Sequence, residues 1–236
     1  MKFRIADFDF IFHCKWTNIN SQAELFVCDN PYCDLEITMS QTDIEKEKLI
    51  SDEKRCEESA YEVTAVYRKL GEWLPLHNAF VLHSAVIDVD GQGVAFAAHS
   101  GTGKTTHMML WQKLLGERMT IVNGDKPIVR FFDDEPQTPY AYGTPWNGKE
   151  RLGCNMRTPV KHICFIVRSE TNYVEPMEAS EIIDLIFNQV YMPKDPMAAV
   201  NTIQLINRFI GSCKLWKIHC NMDISAAETA YKALFE

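Results

Sequence analysis

Apolar and polar residues alternate along the first forty or so positions of this chain. The alternation runs from Phe3 to Phe12, from Ala23 to Val27 and from Leu35 to Ile37. A period of two residues is typical of strands that bury one face. The pattern therefore predicts a β-rich entry segment.

A helical period follows this segment. Between Glu58 and Trp73 apolar residues recur every three or four positions, and Gly71 stands near the end, which predicts an amphipathic helix packed on a sheet. The intervening stretch from Thr42 to Cys56 is rich in Glu, Lys and Asp, and we interpret it as a solvated hairpin or loop without chemistry. We expect residues 1–75 to form a β-rich segment plus this helix, and residues 76–236 to form the main domain.

The main domain begins with two apolar runs, Ala79 to Val89 and Val94 to Ala98. The sequence Asp-Gly-Gln-Gly joins them, and this turn chemistry predicts a tight antiparallel hairpin. The second run leads directly into a glycine-rich loop. A helix is predicted from Thr106 to Leu115, with Gly116 as its C-terminal stop signal.

The rest of the chain continues to alternate between strand and helix patterns. Strands are predicted at Met119 to Val122, at Ile128 to Phe132 as its partner, at His162 to Val167 and at Leu215 to Cys220. Helices are predicted at Ala179 to Tyr191, at Ala198 to Ile210, and after a capping box from Ser225 to Glu228. Together these elements predict an α/β fold with a mixed sheet and flanking helices.

Composition narrows the functional classes. Of the 236 residues, 46% are hydrophobic and 24% are charged, as in ordinary soluble globular proteins. The net charge of −8 argues against a nucleic-acid-binding protein, which needs a broad basic surface. We see neither a signal peptide nor an apolar run long enough to cross a membrane. The eight cysteines lack metal-site spacing, so we expect free thiols and a cytoplasmic protein without a membrane partner.

The glycine-rich loop carries the strongest chemical signal. From Ala98 to Thr106 the chain has the sequence A-H-S-G-T-G-K-T-T, which matches the P-loop pattern G-x-x-x-x-G-K-[ST] except at its first position. Glycines allow backbone N–H groups to converge on phosphates, Lys104 would reach the β and γ phosphates, and Thr105 would ligate Mg²⁺. We expect ATP, or another nucleoside triphosphate, with Mg²⁺. The candidate nucleotide-binding residues are Ser100, Gly101, Thr102, Gly103, Lys104, Thr105 and Thr106.

Asp125 is the candidate acidic residue. It follows the predicted strand at Met119 to Val122, about twenty residues after Lys104, where P-loop proteins place a carboxylate on or near the metal. Thr105 and Asp125 are thus the candidate metal ligands. Asp125 could instead cap the turn before Lys126-Pro127.

These features together resemble the HPr kinase/phosphorylase family, which is related to the core of ATP-dependent phosphoenolpyruvate carboxykinases. The resemblance covers most of the chain. It rests on Leu82-His83-Ser84, the hairpin, the run from Ser100 to Thr105, the strand ending in Asp125, and the segment Gly143 to Glu150 followed by Asn155. The last segment is similar to a branch of small HPr-kinase-like proteins of Gram-positive bacteria. The chain departs from the family at Gly124, where an aspartate is common, and it lacks the later glycine-rich signature of true HPr kinases.

The resemblance implies a serine kinase in which Asp125 activates the acceptor hydroxyl. It also places His83 beside the phosphates, where it could orient Asp125 or contact the γ-phosphate; the alternative is a histidine satisfied within a buried strand. Lys149 could bring a second positive charge to the transferring phosphoryl group, or be an ordinary surface lysine. Trp146 could stack on a substrate or serve as a packing anchor.

The sequence therefore predicts a kinase that transfers the γ-phosphoryl group of ATP to a serine of a peptide or protein. A small-metabolite alcohol is the alternative acceptor, because acceptor recognition resides mostly in loops. A nucleotide-binding regulator that transfers nothing is the alternative from another class. Members of the family that the chain resembles often assemble into oligomers, so a homo-oligomer is a possible state of this protein.

Overall fold

The computed structural model describes residues 1–16, 18–51, 57–98 and 101–236. The strands are β1 (Lys2–Ile5), β2 (Phe8–His13), β3 (Leu35–Thr38), β4 (Ala79–Val81), β5 (Ala85–Val89), β6 (Gln92–Ala97), β7 (Met119–Asn123), β8 (Ile128–Arg130), β9 (Tyr140–Tyr142), β10 (Arg157–Arg168), β11 (Tyr173–Pro176) and β12 (Lys214–Cys220). The α-helices are α1 (Asn18–Gln22), α2 (Gln41–Ile50), α3 (Glu58–Trp73), α4 (Lys104–Leu115), α5 (Ala179–Phe187), α6 (Pro196–Ser212) and α7 (Ile224–Phe235).

A large mixed sheet forms the centre of the fold. Its main path has the strand order β4-β8-β9-β10-β6-β5-β7, and β12 pairs with both β10 and β11. The long strand β10 joins two parts of the sheet, since its first residues pair with β9 and its later residues pair with β6 and β12. The predicted mixed α/β architecture with flanking helices is confirmed.

Alternation along the strands sorts side chains into two cores. On β6, Ala95 faces the core under α5 and α6, whereas Val94 and Phe96 face the core under α4 and α7. On β10, Phe165 and Cys164 divide in the same way. Both faces are covered by helices, so each strand carries an uninterrupted apolar run, residues 94–97 on β6 and residues 163–167 on β10.

The N-terminal segment forms its own small sheet, in the order β1-β2-β3. Its phenylalanines pack with α3 and with Trp146 and Tyr142 from the main domain in one continuous core. Arg130 donates a 2.6 Å hydrogen bond to the Ala6 carbonyl across this contact. The segment is therefore docked directly on the large sheet.

Several predicted elements are confirmed and others are wrong. The helix from Glu58 to Trp73 and the β5–β6 hairpin form as expected. Residues 23–27 are not a strand, because a short 3₁₀ helix (Glu24–Phe26) follows α1 and Val27 makes only an isolated bridge with Phe3. Residues 41–50 form α2 rather than a loop, since the side chains of Ser40 and Asp43 cap each other's backbone N–H groups; residues 52–56 lie outside the described residues.

Two further predictions fail on tertiary grounds. Strand β8 pairs with β4 and β9 rather than with β7. Helix α7 begins after Asp223, so Ser225 lies inside the helix and accepts a hydrogen bond from Asn172 instead of capping. Within the described parts of the chain, no helix combines the length and the apolar surface that a bilayer crossing requires.

Candidate active site

Strand directions bring four segments to one edge of the large sheet. Strands β6 and β7 both run antiparallel to β5, so their carboxyl ends lie beside the amino end of β5. Strand β10 runs parallel to β6 and ends at the same edge. The glycine-rich loop after β6, His83 before β5, Asp125 after β7 and Arg168 at the end of β10 are consequently neighbours.

A cavity of about 930 Å³ opens at this edge. This volume suits a ligand of nucleotide size, since small-molecule sites typically measure about 300–1,000 Å³. Its walls come from the glycine-rich loop and the start of α4, from His83, from residues 124–126, and from the loop 145–151. The remaining wall belongs to the N-terminal segment and consists of Gln22, Val63, Thr64 and Tyr67; we call these four residues the N-terminal wall.

The glycine-rich loop has a backbone that only glycine adopts readily. Gly101 and Gly103 have φ angles of +75° and +120°, in the region that disfavours residues with a Cβ atom. Gly103 is the N-cap of α4 and has no side chain to cap the helix. The N–H groups of Lys104, Thr105 and Thr106, which lack intrahelical acceptors, therefore lie at the cavity and favour an anion.

Thr102, also a predicted nucleotide-binding residue, is not among the residues that line the cavity. Thr102 lies between the two glycines, and its carbonyl accepts a 3.0 Å hydrogen bond from Nε of Arg168. Ser100 lies outside the described residues.

Lys104 lies at the cavity wall, where burial disfavours the protonated form of its amine. Its Nζ donates a 3.3 Å hydrogen bond to the Ala98 carbonyl. Burial lowers the pKa of Lys104, and the nearby charge of Lys126 lowers it further, with partial compensation by Asp125. An anionic ligand at this position would stabilise the protonated amine.

Asp125 is held between two basic side chains. Its Oδ1 lies 3.2 Å from Nε2 of His83, and its Oδ2 accepts a 2.8 Å hydrogen bond from Nζ of Lys126. Burial by itself raises the pKa of Asp125, but the hydrogen bond from His83 and the charge of Lys126 outweigh it, so the pKa lies well below its usual range. The carboxylate is therefore ionised at neutral pH. The backbone N–H of His83 donates to the Gln189 carbonyl at 2.6 Å, which fixes the segment carrying the imidazole.

Asn123, rather than Asp125, caps the turn after β7. Its Oδ1 accepts hydrogen bonds from the backbone N–H groups of Asp125 at 2.9 Å and Lys126 at 2.8 Å. Its Nδ2 donates to Thr144 Oγ1 at 3.0 Å. Because this Asx-type turn satisfies the backbone, the Asp125 carboxylate is available to the cavity.

Gly124 permits the loop 145–151 to approach the end of β7. A Cβ atom on Gly124 would lie 3.0 Å from the Asn147 carbonyl oxygen and 3.2 Å from that of Leu152. A side chain here would require these carbonyl groups to move by a few tenths of an ångström, so glycine allows the close approach at a position where the resemblance implies aspartate. The approach brings Lys149 to the cavity, where its side chain is exposed and has no ion-pair partner among the described residues.

Trp146 is a packing anchor in this structure. It is 8% exposed, and its Nε1 donates a 3.0 Å hydrogen bond to the Val63 carbonyl on α3. Its ring contacts Tyr67, with the ring centroids 5.8 Å apart. Trp146 thus joins the loop 145–151 to the N-terminal wall.

The structure brings His83, Lys104, Thr105, Asp125 and Lys149 to one cavity. Sequence reasoning missed Asn123, Lys126 and Arg168. An asparagine two residues before a turn is a recognisable capping signal, and Lys126 is adjacent to the candidate carboxylate. The contact of Arg168 with the loop had no local signal, because the two segments are 66 residues apart.

No known protein-family model matches this chain, and no curated protein matches it in sequence. Among solved structures, the chain is similar to the Hpr(Ser) kinase/phosphatase from Coxiella burnetii, with a TM-score of 0.30 and 9% sequence identity. The match covers 66% of this chain and 99% of that one. At this level the similarity carries no argument about function, which has to be inferred from the geometry of the cavity.

Proposed function

We propose that this chain is an ATP-dependent kinase that transfers the γ-phosphoryl group to an alcohol, and that the acceptor is a serine hydroxyl of a peptide or protein. One observation carries the proposal. An ionised carboxylate, Asp125, shares a cavity with Lys104 and with the N-terminal turn of α4. A base for the acceptor and a cradle for the donor are thus side by side.

The cradle fits the phosphates of a nucleotide. The glycine-rich loop and the uncapped first turn of α4 supply backbone donors, and Lys104 supplies a cation whose pKa is lowered by burial in the absence of an anion. Lys126, Lys149 and Arg151 add positive charge at the cavity in a protein whose net charge is −8. A polyanion is the ligand class that this charge distribution favours.

The residues present also fit Mg²⁺ bound together with phosphates. Among the described residues no group of three or more His, Cys, Asp and Glu side chains could hold a metal ion. Mg²⁺ does not need such a group, because it commonly uses one or two protein ligands with water and substrate phosphates. Thr105 and Asp125 would hold it, and the ion would neutralise negative charge on the phosphates.

The transfer requires little acid–base chemistry from the protein. The alcohol oxygen forms a bond to the γ-phosphorus, the bond from that phosphorus to the ADP oxygen breaks, and the alcohol proton passes to the Asp125 carboxylate. A carboxylate with a lowered pKa is a weak base, but in phosphoryl transfer positioning and charge stabilisation dominate. His83 and Lys126 hold the carboxylate in place for this purpose.

The proposed acceptor must reach Asp125 from the surface. Lys149, Glu150 and Arg151 are exposed at the cavity, so a peptide segment could enter past them. This entrance leaves room for a peptide or protein serine as acceptor.

The test measures Mg²⁺-dependent conversion of ATP to ADP and identifies phosphorylated products by mass spectrometry, with serine peptides and with a pool of metabolite alcohols. We expect the wild type to phosphorylate peptides, and Asp125→Asn to lose roughly 100- to 10,000-fold in kcat while still binding MgATP. Asp133→Asn, which changes an exposed carboxylate outside the cavity, is the matched control.

If phosphorylated products appear only in the metabolite pool, the acceptor is a small-metabolite alcohol rather than a serine, and the assignment as a kinase stands. Binding of MgATP without transfer to any acceptor would instead favour a regulator that only binds nucleotide. A wild-type protein that binds no nucleotide would overturn the proposal as a whole.

A further inference from the structure

We propose that Arg168 is a positioning residue that aims the backbone N–H groups of the glycine-rich loop at the nucleotide phosphates, an inference that rests on the proposed function. Arg168 is the last residue of β10. Its Nε donates to the Thr102 carbonyl at 3.0 Å, and its Nη2 donates to the Gly101 carbonyl. One guanidinium thus binds two consecutive carbonyl groups of the loop.

Because the peptide bond is planar, fixing these two carbonyl groups also fixes the direction of the N–H groups on the opposite side of the loop. The carbonyl of Gly101 belongs to the same peptide unit as the N–H of Thr102, and the carbonyl of Thr102 belongs with the N–H of Gly103. No cis peptide bond occurs among the described residues, and in a trans unit the C=O and N–H groups point in opposite directions. By binding the carbonyls, Arg168 directs the N–H groups of Thr102 and Gly103 away from itself.

Gly101 and Gly103 line the cavity, whereas Thr102 and Arg168 are not among the residues that line it. The guanidinium therefore acts from behind the loop and does not touch the ligand. The two glycines give the loop alternative conformations that other residues would not have, and an external tether compensates for that freedom. The positive charge of Arg168 also favours an anion on the far side of the loop.

Arginine suits this position better than other cations. Its planar fork presents donors in fixed directions, so Nε and Nη2 can bind two adjacent acceptors at once. A lysine would present one mobile donor group and could satisfy one carbonyl at a time. The register of β10 explains the contact, because Phe165 pairs with Ala97 near the end of β6 and β10 continues for three further residues to Arg168.

The test compares the affinities for MgATP and MgADP, measured by isothermal titration calorimetry, in the wild type, Arg168→Ala and Arg168→Lys. Loop N–H groups cradle phosphates that both nucleotides share, so Arg168→Ala should weaken both by a similar factor, on the order of tenfold. Arg168→Lys should recover part of the loss. The turnover number at saturating MgATP should fall less than the affinity.

Arg118→Ala is the matched control. Like Arg168, Arg118 is exposed, and its Nε and Nη2 both donate hydrogen bonds, here to the Asp90 carboxylate. Neither Arg118 nor Asp90 lines the cavity. We expect it to leave both affinities unchanged. The thermal unfolding midpoint of each variant distinguishes a loss of stability from a loss of nucleotide affinity. If Arg168→Ala does not fold, Arg168→Gln is measured in its place.

If the wild type binds nucleotide and the Arg168 variants bind it equally well or more tightly, the inference is overturned while the proposed kinase function stands. If Arg168→Ala loses stability but retains its affinity for both nucleotides, Arg168 is only structural and the inference is again overturned. A wild type that binds neither nucleotide overturns the proposed function and this inference with it.

Discussion

The two sides of the cavity are built on different principles. The side formed by the glycine-rich loop and α4 uses backbone N–H groups and one lysine, held by strands of the large sheet. The N-terminal wall consists of residues of α1 and α3, of which Val63 and Tyr67 belong to the small sheet's core. Backbone groups recognise any phosphate chain, whereas side chains differ in shape and hydrogen bonding. We therefore expect the first side to bind the donor and the N-terminal wall to select the acceptor.

The attachment of the N-terminal wall makes this division physically reasonable. Glu62 on α3 accepts hydrogen bonds from the backbone N–H groups of Lys15 at 2.7 Å and Trp16 at 3.0 Å. Trp146 holds the same helix through the Val63 carbonyl. Glu62 thus holds α3 to the chain segment before α1, and Trp146 ties α3 to the loop 145–151.

The largest effect is expected from Lys104→Ala. Removing a partly buried, charge-assisted hydrogen-bond donor should weaken MgATP binding by roughly a hundredfold, and phosphoryl transfer should fall at least as far. Isothermal titration calorimetry and a product assay measure the two quantities. Lys113→Ala, an exposed lysine in the last turn of the same helix, should leave both unchanged. Full MgATP affinity in Lys104→Ala would contradict the assignment of this side to the donor.

The second-largest effect is expected from a substitution at Trp146, which joins the two sides of the cavity. Trp146→Phe removes the Nε1 hydrogen bond to Val63 and part of a buried ring, and we expect the free energy of unfolding to fall by about 1–2 kcal/mol. Urea denaturation provides the measurement. Trp73→Phe is the control, since Trp73 packs against Phe8 and Phe10 but has no ring N–H bond to another described residue. An equal loss in both variants would show that the hydrogen bond contributes little.

A smaller, selective effect is expected from the N-terminal wall. Gln22→Ala and Thr64→Val should raise KM for the acceptor by roughly five- to tenfold, the value of about one hydrogen bond, with the MgATP affinity unchanged. Steady-state kinetics with the acceptor identified in the transfer assay decides this. Gln112→Ala, on the exposed face of α4, is the control. A change in MgATP affinity rather than in acceptor KM would assign this wall to the nucleotide.

The smallest expected effect is a pH dependence of stability. Because the pKa of Asp125 is below its ordinary value of 3.8, its ionised form stabilises the folded state at neutral pH, and this contribution disappears as the pH falls through the folded pKa. The difference in unfolding free energy between wild type and Asp125→Asn should therefore be larger at pH 7 than at pH 3. Urea denaturation at the two pH values measures it, and a constant difference would contradict the lowered pKa.

The elements with strong periodic patterns could be predicted from sequence alone. The helix from Glu58 to Trp73 and the β5–β6 hairpin depend on local spacing and turn chemistry, which the chain carries within each segment. Residues 41–50 were misassigned because their charged composition hid a cap formed by Ser40 and Asp43. Strand β8 was paired wrongly because the choice of partner depends on distant strands, which no local pattern encodes.

The sequence by itself determined the residue types that the cavity would offer: a glycine-rich loop leading into a helix, a lysine and a hydroxyl at its start, and a carboxylate after a later strand. Only the tertiary structure decided that His83 lies against that carboxylate and that Arg168 binds the loop from behind. The contact of Arg168 joins segments 66 residues apart. These arrangements arise because β6, β7 and β10 end at the same edge of the sheet, which depends on strand order and direction rather than on any local run of residues.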